Sequence, residues 1–218
     1  MKKRLAIFVV VFTMLAWYFW TNSNSVQMTT KQKIIKAIYP VIQLFSTKKN
    51  IESANRKQPL QSFYNLNATA NDGSAFDFSV LKNKKVLLVN TASDCGYTPQ
   101  YKALQSLYEQ YKNKLVIIAF PANDFKEQEK ADDATIASFC EKNYGVSFPL
   151  MKKSVVISSP QQNKVFQWLT QKDKNGWNDK APEWNFSKYL VNEKGELTHY
   201  FSPGVSPLDS KIKQAIAE

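Results

Sequence analysis

Histidine is almost absent: His199 is the only one in 218 residues. A metal site built on several imidazoles is therefore excluded, and His199 falls on a predicted hairpin strand, where neither a catalytic nor a metal role is expected. Cysteine is nearly as scarce, with Cys95 and Cys140 alone, so at most one intramolecular disulfide can form. Acid is missing from one end. Residues 1 to 60 carry ten of the 29 Lys and Arg against a single acid, Glu52, whereas the remainder is close to neutral, with 19 basic against 17 acidic residues. The net charge of +11 thus belongs to an N-terminal segment, for which a membrane surface is a better partner than nucleic acid. Internal repeats and low-complexity tracts are also lacking.

What the N-terminus does contain is Met1-Lys2-Lys3-Arg4 followed by an apolar run from Leu5 to Trp20, broken only by Thr13. This has the charged and hydrophobic regions of a secretory signal. Trp17, Tyr18, Phe19 and Trp20 crowd the end where cleavage needs small residues, and such aromatics suit a membrane interface. The reading is an uncleaved signal-anchor over residues 1–25; the alternative is a signal cleaved near Ser23 to Ser25, giving a secreted protein. With the basic cluster retained inside, the catalytic part is expected on the exported, periplasmic or extracytoplasmic side of the membrane. Over residues 26–59, Ile34, Ile35, Ile38, Val41, Ile42 and Phe45 recur at helical spacing with lysines opposite. That pattern fits a basic helix on lipid, or one docked on the main domain and bent at Pro40. Ser46 to Pro59 reads as a linker, and a domain fills residues 60–218.

The centre of that domain is the stretch from Lys85 to Leu104, where strand period gives way to helix period. Val86 to Val89 form a continuous apolar run, as in a strand covered on both faces, and Tyr101, Leu104, Leu107, Tyr108 and Tyr111 follow at helical spacing. Thr98 is expected to cap this helix and Pro99 to take its first position. Cys95 then lies just before a helix N-terminus, whose dipole favours a thiolate and predicts a pKa below the free value of about 8.5. The opposing reading is a buried thiol acting as a small hydrophobe.

Around this stretch, Ser62 to Leu66 and Phe76 to Phe78 flank Asn71-Asp72-Gly73-Ser74 as a predicted hairpin. Leu115 to Phe120 gives a second buried strand, closing a right-handed β-α-β unit. A helix is predicted from about Ala131 to Asn143, another opening at Ser159-Pro160, and a last one at Ser206-Pro207. Between the latter two, Tyr189 to Val191 and Leu197 to Phe201 form a second hairpin. This order implies an α/β, thioredoxin-like fold with a central mixed sheet flanked by helices, and with an N-terminal membrane-anchor or signal helix.

Three motifs, VNTASDCGYTPQY, AFPANDFKEQE and WNFSKYLV, occur in the order and spacing found in the glutathione peroxidase family, which the chain resembles over about residues 60 to 216. The resemblance implies that Cys95, where some members have selenocysteine, is the peroxidatic nucleophile and that Gln128, Trp184 and Asn185 complete a tetrad. The chemistry is consistent: two amides and an indole supply neutral N–H donors for a thiolate and a departing peroxide oxygen, without a histidine base. Trp184 alone reads equally well as a core aromatic. Three departures are present: Ala122 where many members have another cysteine, Asp124 for the usual glutamine, and Lys126 for the usual glycine. The last two bear on the loop that presents Gln128.

Cys140 matches the resolving cysteine of the thioredoxin-dependent branch. The implied activity is reduction of hydrogen peroxide or of organic and lipid hydroperoxides through a sulfenic acid on Cys95. Cys140 condenses that acid to a disulfide for an external dithiol to reduce. No cofactor or metal is expected. The expected reductant is a thioredoxin-type protein or glutathione, the former preferred because matched arginines for a glutathione site are missing, and the short interval from Met151 to Glu183 implies a monomeric catalytic domain. The reading of a different class is an exported redox-sensing or binding module with a structural Cys95–Cys140 disulfide. That module has no use for the Gln128, Trp184 and Asn185 set.

Overall fold

The computed structural model describes residues 28–53 and 58–218. The strand expected at Val86 to Val89 is β4, Lys85–Thr91, all seven residues of which are buried. It lies between β6 and β5 in a five-stranded sheet, and its side chains alternate between two cores. In chain order the other members are β1 (Asn50–Glu52), β5 (Leu115–Pro121), β6 (Lys188–Val191) and β7 (Leu197–Phe201). The spatial order is β1-β7-β6-β4-β5. β4 and β5 are parallel, Lys85 facing Leu115, whereas β6, β7 and β1 add antiparallel. The mixed thioredoxin-like sheet is therefore present. A separate hairpin pairs β2 (Asn67–Thr69) with β3 (Ala75–Asp77).

Leu87 and Val89 point into one core with Cys95, Cys140 and side chains of three helices: α2 (Gln100–Tyr111), α3 (Asp133–Tyr144) and α6 (Ser210–Ala217). Val86 and Leu88 point into the other, aromatic core, with Phe63, Phe78, Phe120 and Trp168, the last carried by α4 (Lys164–Thr170). The one-turn helix α5 (Lys172–Asn175) follows directly. Burial on both faces is what the continuous apolar run of β4 requires.

Several boundaries differ from the sequence reading. The first hairpin starts at Asn67 because Phe63–Asn65 is a 3₁₀ turn that buries Phe63. The third predicted helix opens at Lys164, capped by Asn163, and the last at Ser210, capped by Asp209, in both cases beyond the Ser-Pro dipeptide. A capping side chain decides the start more strongly than a preceding proline does. The stretch expected to be a linker contributes β1, an edge strand whose Asn50, Ile51 and Glu52 face Phe201, Tyr200 and His199.

The membrane anchor and the exported, membrane-tethered location built on it are corrected. Among the described residues no helix is long and apolar enough to cross a membrane. The apolar run Leu5 to Trp20 lies outside the described residues. The first described helix, α1 (Thr30–Phe45), has 16 residues. At 1.5 Å per residue it spans about 24 Å, short of a hydrocarbon core of ~30 Å, and Lys31, Lys33 and Lys36 interrupt it. Of the two readings of this segment, docking on the domain is the one observed: Gln32, Lys36 and Ser46 all touch it.

Candidate active site

Cys95 sits in the turn between β4 and α2, and the way this turn is tied differs from expectation. Thr98 does not cap α2, since Pro99 occupies the cap position with no side-chain hydrogen bond. The Thr98 hydroxyl instead accepts from the Cys95 N–H at 3.0 Å and lies 2.8 Å from the Ala92 carbonyl, to which it can donate. It thereby folds the turn onto itself. The second tie is Glu129, whose carboxylate accepts from the Ser93 N–H at 2.8 Å and from the Ser93 hydroxyl at 2.9 Å. The backbone adds a third, with the Asp94 N–H donating to the Gln128 carbonyl.

The sulfur is fully buried. The Tyr97 N–H donates to it at 3.4 Å, and the Trp184 and Asn185 side chains lie close enough to favour its thiolate. These donors and the positive charge of Lys31 favour the thiolate, but burial outweighs them and pushes the Cys95 thiol up to about 11. The depressed pKa expected from helix position alone is not found, because loss of water costs the anion more than the surrounding donors return.

Asn185 connects the set. Its amide donates to Gln128 Oε1 at 3.1 Å, so Gln128 joins the sulfur's surroundings through Asn185. Lys126 and Glu127, just before Gln128, have φ of 53° and 51°, the left-handed region that glycine enters at lowest cost. Lys126, where a glycine was expected, adopts that conformation and sets its ammonium over the Trp184 ring, 5.8 Å from the centroid. The Trp184-Asn185 turn is held from β4 by Asn90. The Asn90 amide donates to the Trp184 carbonyl at 3.1 Å and its Oδ1 accepts from the Ser187 N–H at 3.0 Å. Phe186, at φ 68°, donates its N–H to the Asn90 carbonyl.

The structure thus brings Cys95, Trp184, Asn185 and Gln128 together. Cys140 lies on α3 in the same core as Cys95, buried, with its thiol pushed up to about 12 by burial despite the neighbouring Tyr101 hydroxyl. Both cysteines are free thiols, so the standing disulfide of the alternative reading is not formed. His199 is engaged on β7, with its Nδ1 3.0 Å from the Thr198 hydroxyl and its ring stacked on Phe201. Sequence reasoning missed Asn90, Thr98 as a turn clamp, and Glu129. Their only signal was position, within or beside the two motifs that flank the site.

Comparison with known proteins agrees with this geometry. The family model for glutathione peroxidase matches residues 63–170. Glutathione peroxidase-like peroxiredoxin gpx1 of Schizosaccharomyces pombe is 44% identical over 160 residues, covering 72% of this chain and all of that protein. Glutathione peroxidase homolog BsaA of Halalkalibacterium halodurans is 40% identical, covering 72% of this chain and 98% of the relative. Among solved structures, Trgpx in its apo form superposes with a TM-score of 0.56 at 30% identity, over 73% of this chain and 97% of that one. For T. cruzi GPX1 the TM-score is 0.57 at 28% identity, over 72% and 95%.

Proposed function

The chain belongs to the glutathione peroxidase family, in its cysteine-based, peroxiredoxin-like branch, and from that premise we propose which residues carry its catalysis and in what order. The protein is a thiol-dependent peroxidase, an oxidoreductase that reduces peroxide with an active-site cysteine. Our assignment of that cysteine is Cys95. The observation that carries it is the convergence of three neutral donors, the Tyr97 N–H and the side chains of Trp184 and Asn185, on one buried sulfur. Neutral donors lower the cost of a transient thiolate and of the negative charge that develops on the departing oxygen, without an ion of their own to desolvate.

In the proposed sequence, Cys95 sulfur attacks one peroxide oxygen and the O–O bond breaks. The sulfur leaves as sulfenic acid, and the thiol's proton ends on the departing oxygen as water or an alcohol. Cys140 then attacks the sulfenic sulfur, releasing water and forming the Cys95–Cys140 disulfide. A dithiol protein of the thioredoxin type reduces that bond by exchange. Cys140 is the eighth residue of the 12-residue helix α3, so bringing its sulfur to disulfide geometry with Cys95 is expected to involve local unwinding of that helix. Gln128 holds Asn185 in place.

The test is to treat the reduced Cys140→Ser chain with one equivalent of peroxide and then with dimedone, reading adducts by peptide mass spectrometry. The expected result is a sulfenic adduct on Cys95, replaced in the wild type by a Cys95–Cys140 disulfide that a thioredoxin-type dithiol opens and glutathione alone opens slowly. Absence of the adduct, with peroxide still consumed, overturns the assignment.

A further inference from the structure

Helix α1 lies across the turn that carries Cys95. Its Gln32 amide donates to Asp94 Oδ1 at 2.7 Å and to the Ser93 carbonyl at 3.2 Å, and Lys31 pairs with Asp94 at 3.4 Å. Further along, Ile42 packs against Gly96: a methyl group placed on that glycine would lie 3.4 Å from Ile42 Cδ1. Where the helix ends, the Ser46 hydroxyl is 2.8 Å from the Tyr97 hydroxyl. Ahead of the helix, Met28 is buried in the same core as Cys95. Ser93, Asp94 and Gly96 are therefore touched by α1 and Tyr97 by Ser46 at its end, and the sulfur beneath is fully buried.

The two ends of this segment are attached differently. Beyond Ser46 the chain is fixed to β7 and its extension: the Lys49 N–H donates to the Ser202 hydroxyl at 2.8 Å, the Ser202 N–H donates to the Lys49 carbonyl at 2.9 Å, and β1 completes the sheet edge. The helix itself has no fully buried residue. Its most apolar stripe faces outward, Leu44 being 80% and Phe45 85% exposed. A cavity of about 600 Å³ remains under its first turn, lined by Thr29, Gln32, Ser93, Ala131, Thr135 and Phe139. One end is thus sewn into the sheet, and the other is held by the buried Met28 and by side-chain bonds beside an open cavity. Ser46, in extended conformation at the helix end, stands between them.

We propose that α1 is a lid over Cys95, hinged at Ser46 to Lys49, which shields the sulfur in the resting chain and swings away to admit peroxide and the reductant. Its effect on turnover rests on Cys95 being the peroxidatic residue; the shielding itself does not. The lid makes the enzyme restrained by default, and it is formed by residues that precede the segment matching the family model.

Two substitutions in the full chain open the lid from opposite ends without touching the residues around the sulfur. Gln32→Ala removes the bonds to Ser93 and Asp94. Gly204→Ala places a methyl against the Thr47 carbonyl and wedges the strap away. The readouts are the rate of iodoacetamide alkylation at each cysteine in the reduced protein, resolved by peptide mass spectrometry, and the rate of hydrogen peroxide consumption. Both variants are expected to alkylate Cys95 about tenfold faster than wild type, as for an open state populated near 10% in the resting chain, with Cys140 unchanged. Wild-type Cys95 reacting as fast as in both variants overturns the lid, as does an equal rise at Cys140, which signals general loosening. Faster alkylation without faster peroxide consumption upholds the lid and refutes Cys95 as the peroxidatic residue.

Discussion

Cys95 combines two opposing influences that a sequence does not weigh against each other. The strand-to-helix turn, legible from the change of period at Val86 to Leu104, gives the thiol donors; the packing of α1 and α3 around it removes its water. Water removal dominates, and the thiol stands near 11. At neutral pH the resting sulfur is protonated, and its thiolate fraction grows about tenfold per pH unit until that value is approached. Alkylation of wild-type Cys95 should therefore rise steadily from pH 7 to 9, and a plateau beginning near pH 7 would contradict the closed structure. Trp184 carries the matching prediction for catalysis. Trp184→Phe keeps a ring beside Phe125, 5.4 Å away, but deletes the N–H. One preorganised donor of this kind is worth roughly 100-fold in rate, so the second-order rate constant with peroxide should fall by about that factor with the fold intact. Cys95, Trp184 and Asn185 could be named from motifs because the groups assigned to them reside in their own side chains. The thiol's pKa was not, because it is set chiefly by burial under segments distant in sequence.

The turn between β4 and α2 is held by residues whose importance lies in their partners. Glu129 is buried against Ser93, and burial raises its carboxyl to about 7 although the Ser93 hydroxyl and N–H act in the opposite direction. Its folded-state pKa is above the unfolded one. Its contribution to stability is therefore complete below about pH 4.5 and is lost as pH rises through about 7. The amplitude is roughly 3 kcal/mol. Glu129→Gln retains an acceptor for Ser93 and does not ionise. Urea unfolding between pH 4 and 8 should show wild type losing stability relative to this variant as pH rises, and parallel curves would contradict the assignment. Thr98→Val leaves the Cys95 N–H without its acceptor inside the core. An unsatisfied buried donor costs about 1 to 3 kcal/mol, measurable as a lower denaturant midpoint. In the sequence Thr98 read as a helix cap. A hydroxyl one residue before Pro99 fits either role, and the choice is made by where the Ala92 carbonyl lies. The elements themselves were legible wherever periodicity was strong, as in β4, β5, α2 and the β6–β7 hairpin. They were misplaced where a side-chain cap such as Asn163 or Asp209 decided the boundary.

Across the whole molecule, a thioredoxin-like sheet is combined with an N-terminal segment that folds back on it. β1 was read as linker because three exposed residues, Asn50, Ile51 and Glu52, carry no burial pattern, and their strand character comes entirely from pairing with β7 about 150 positions away. The lysine excess of the same segment suggested lipid as partner, yet Lys31 and Lys36 are directed to Asp94 and to the Tyr144 ring. Composition identifies a basic amphipathic helix and not the surface it meets. Function was more legible than architecture at this scale, because three short motifs meet around one sulfur wherever the remainder of the chain goes.

The most direct test of the account is stopped-flow tryptophan fluorescence of the reduced full chain mixed with peroxide, for wild type, Cys95→Ser and Cys140→Ser, with Trp184 beside the sulfur as the reporter. The account predicts a peroxide-dependent first phase abolished by Cys95→Ser and retained in Cys140→Ser, and a second, peroxide-independent phase present only in wild type. Consumption of peroxide by all three proteins at the same slow rate of an ordinary free thiol would contradict it.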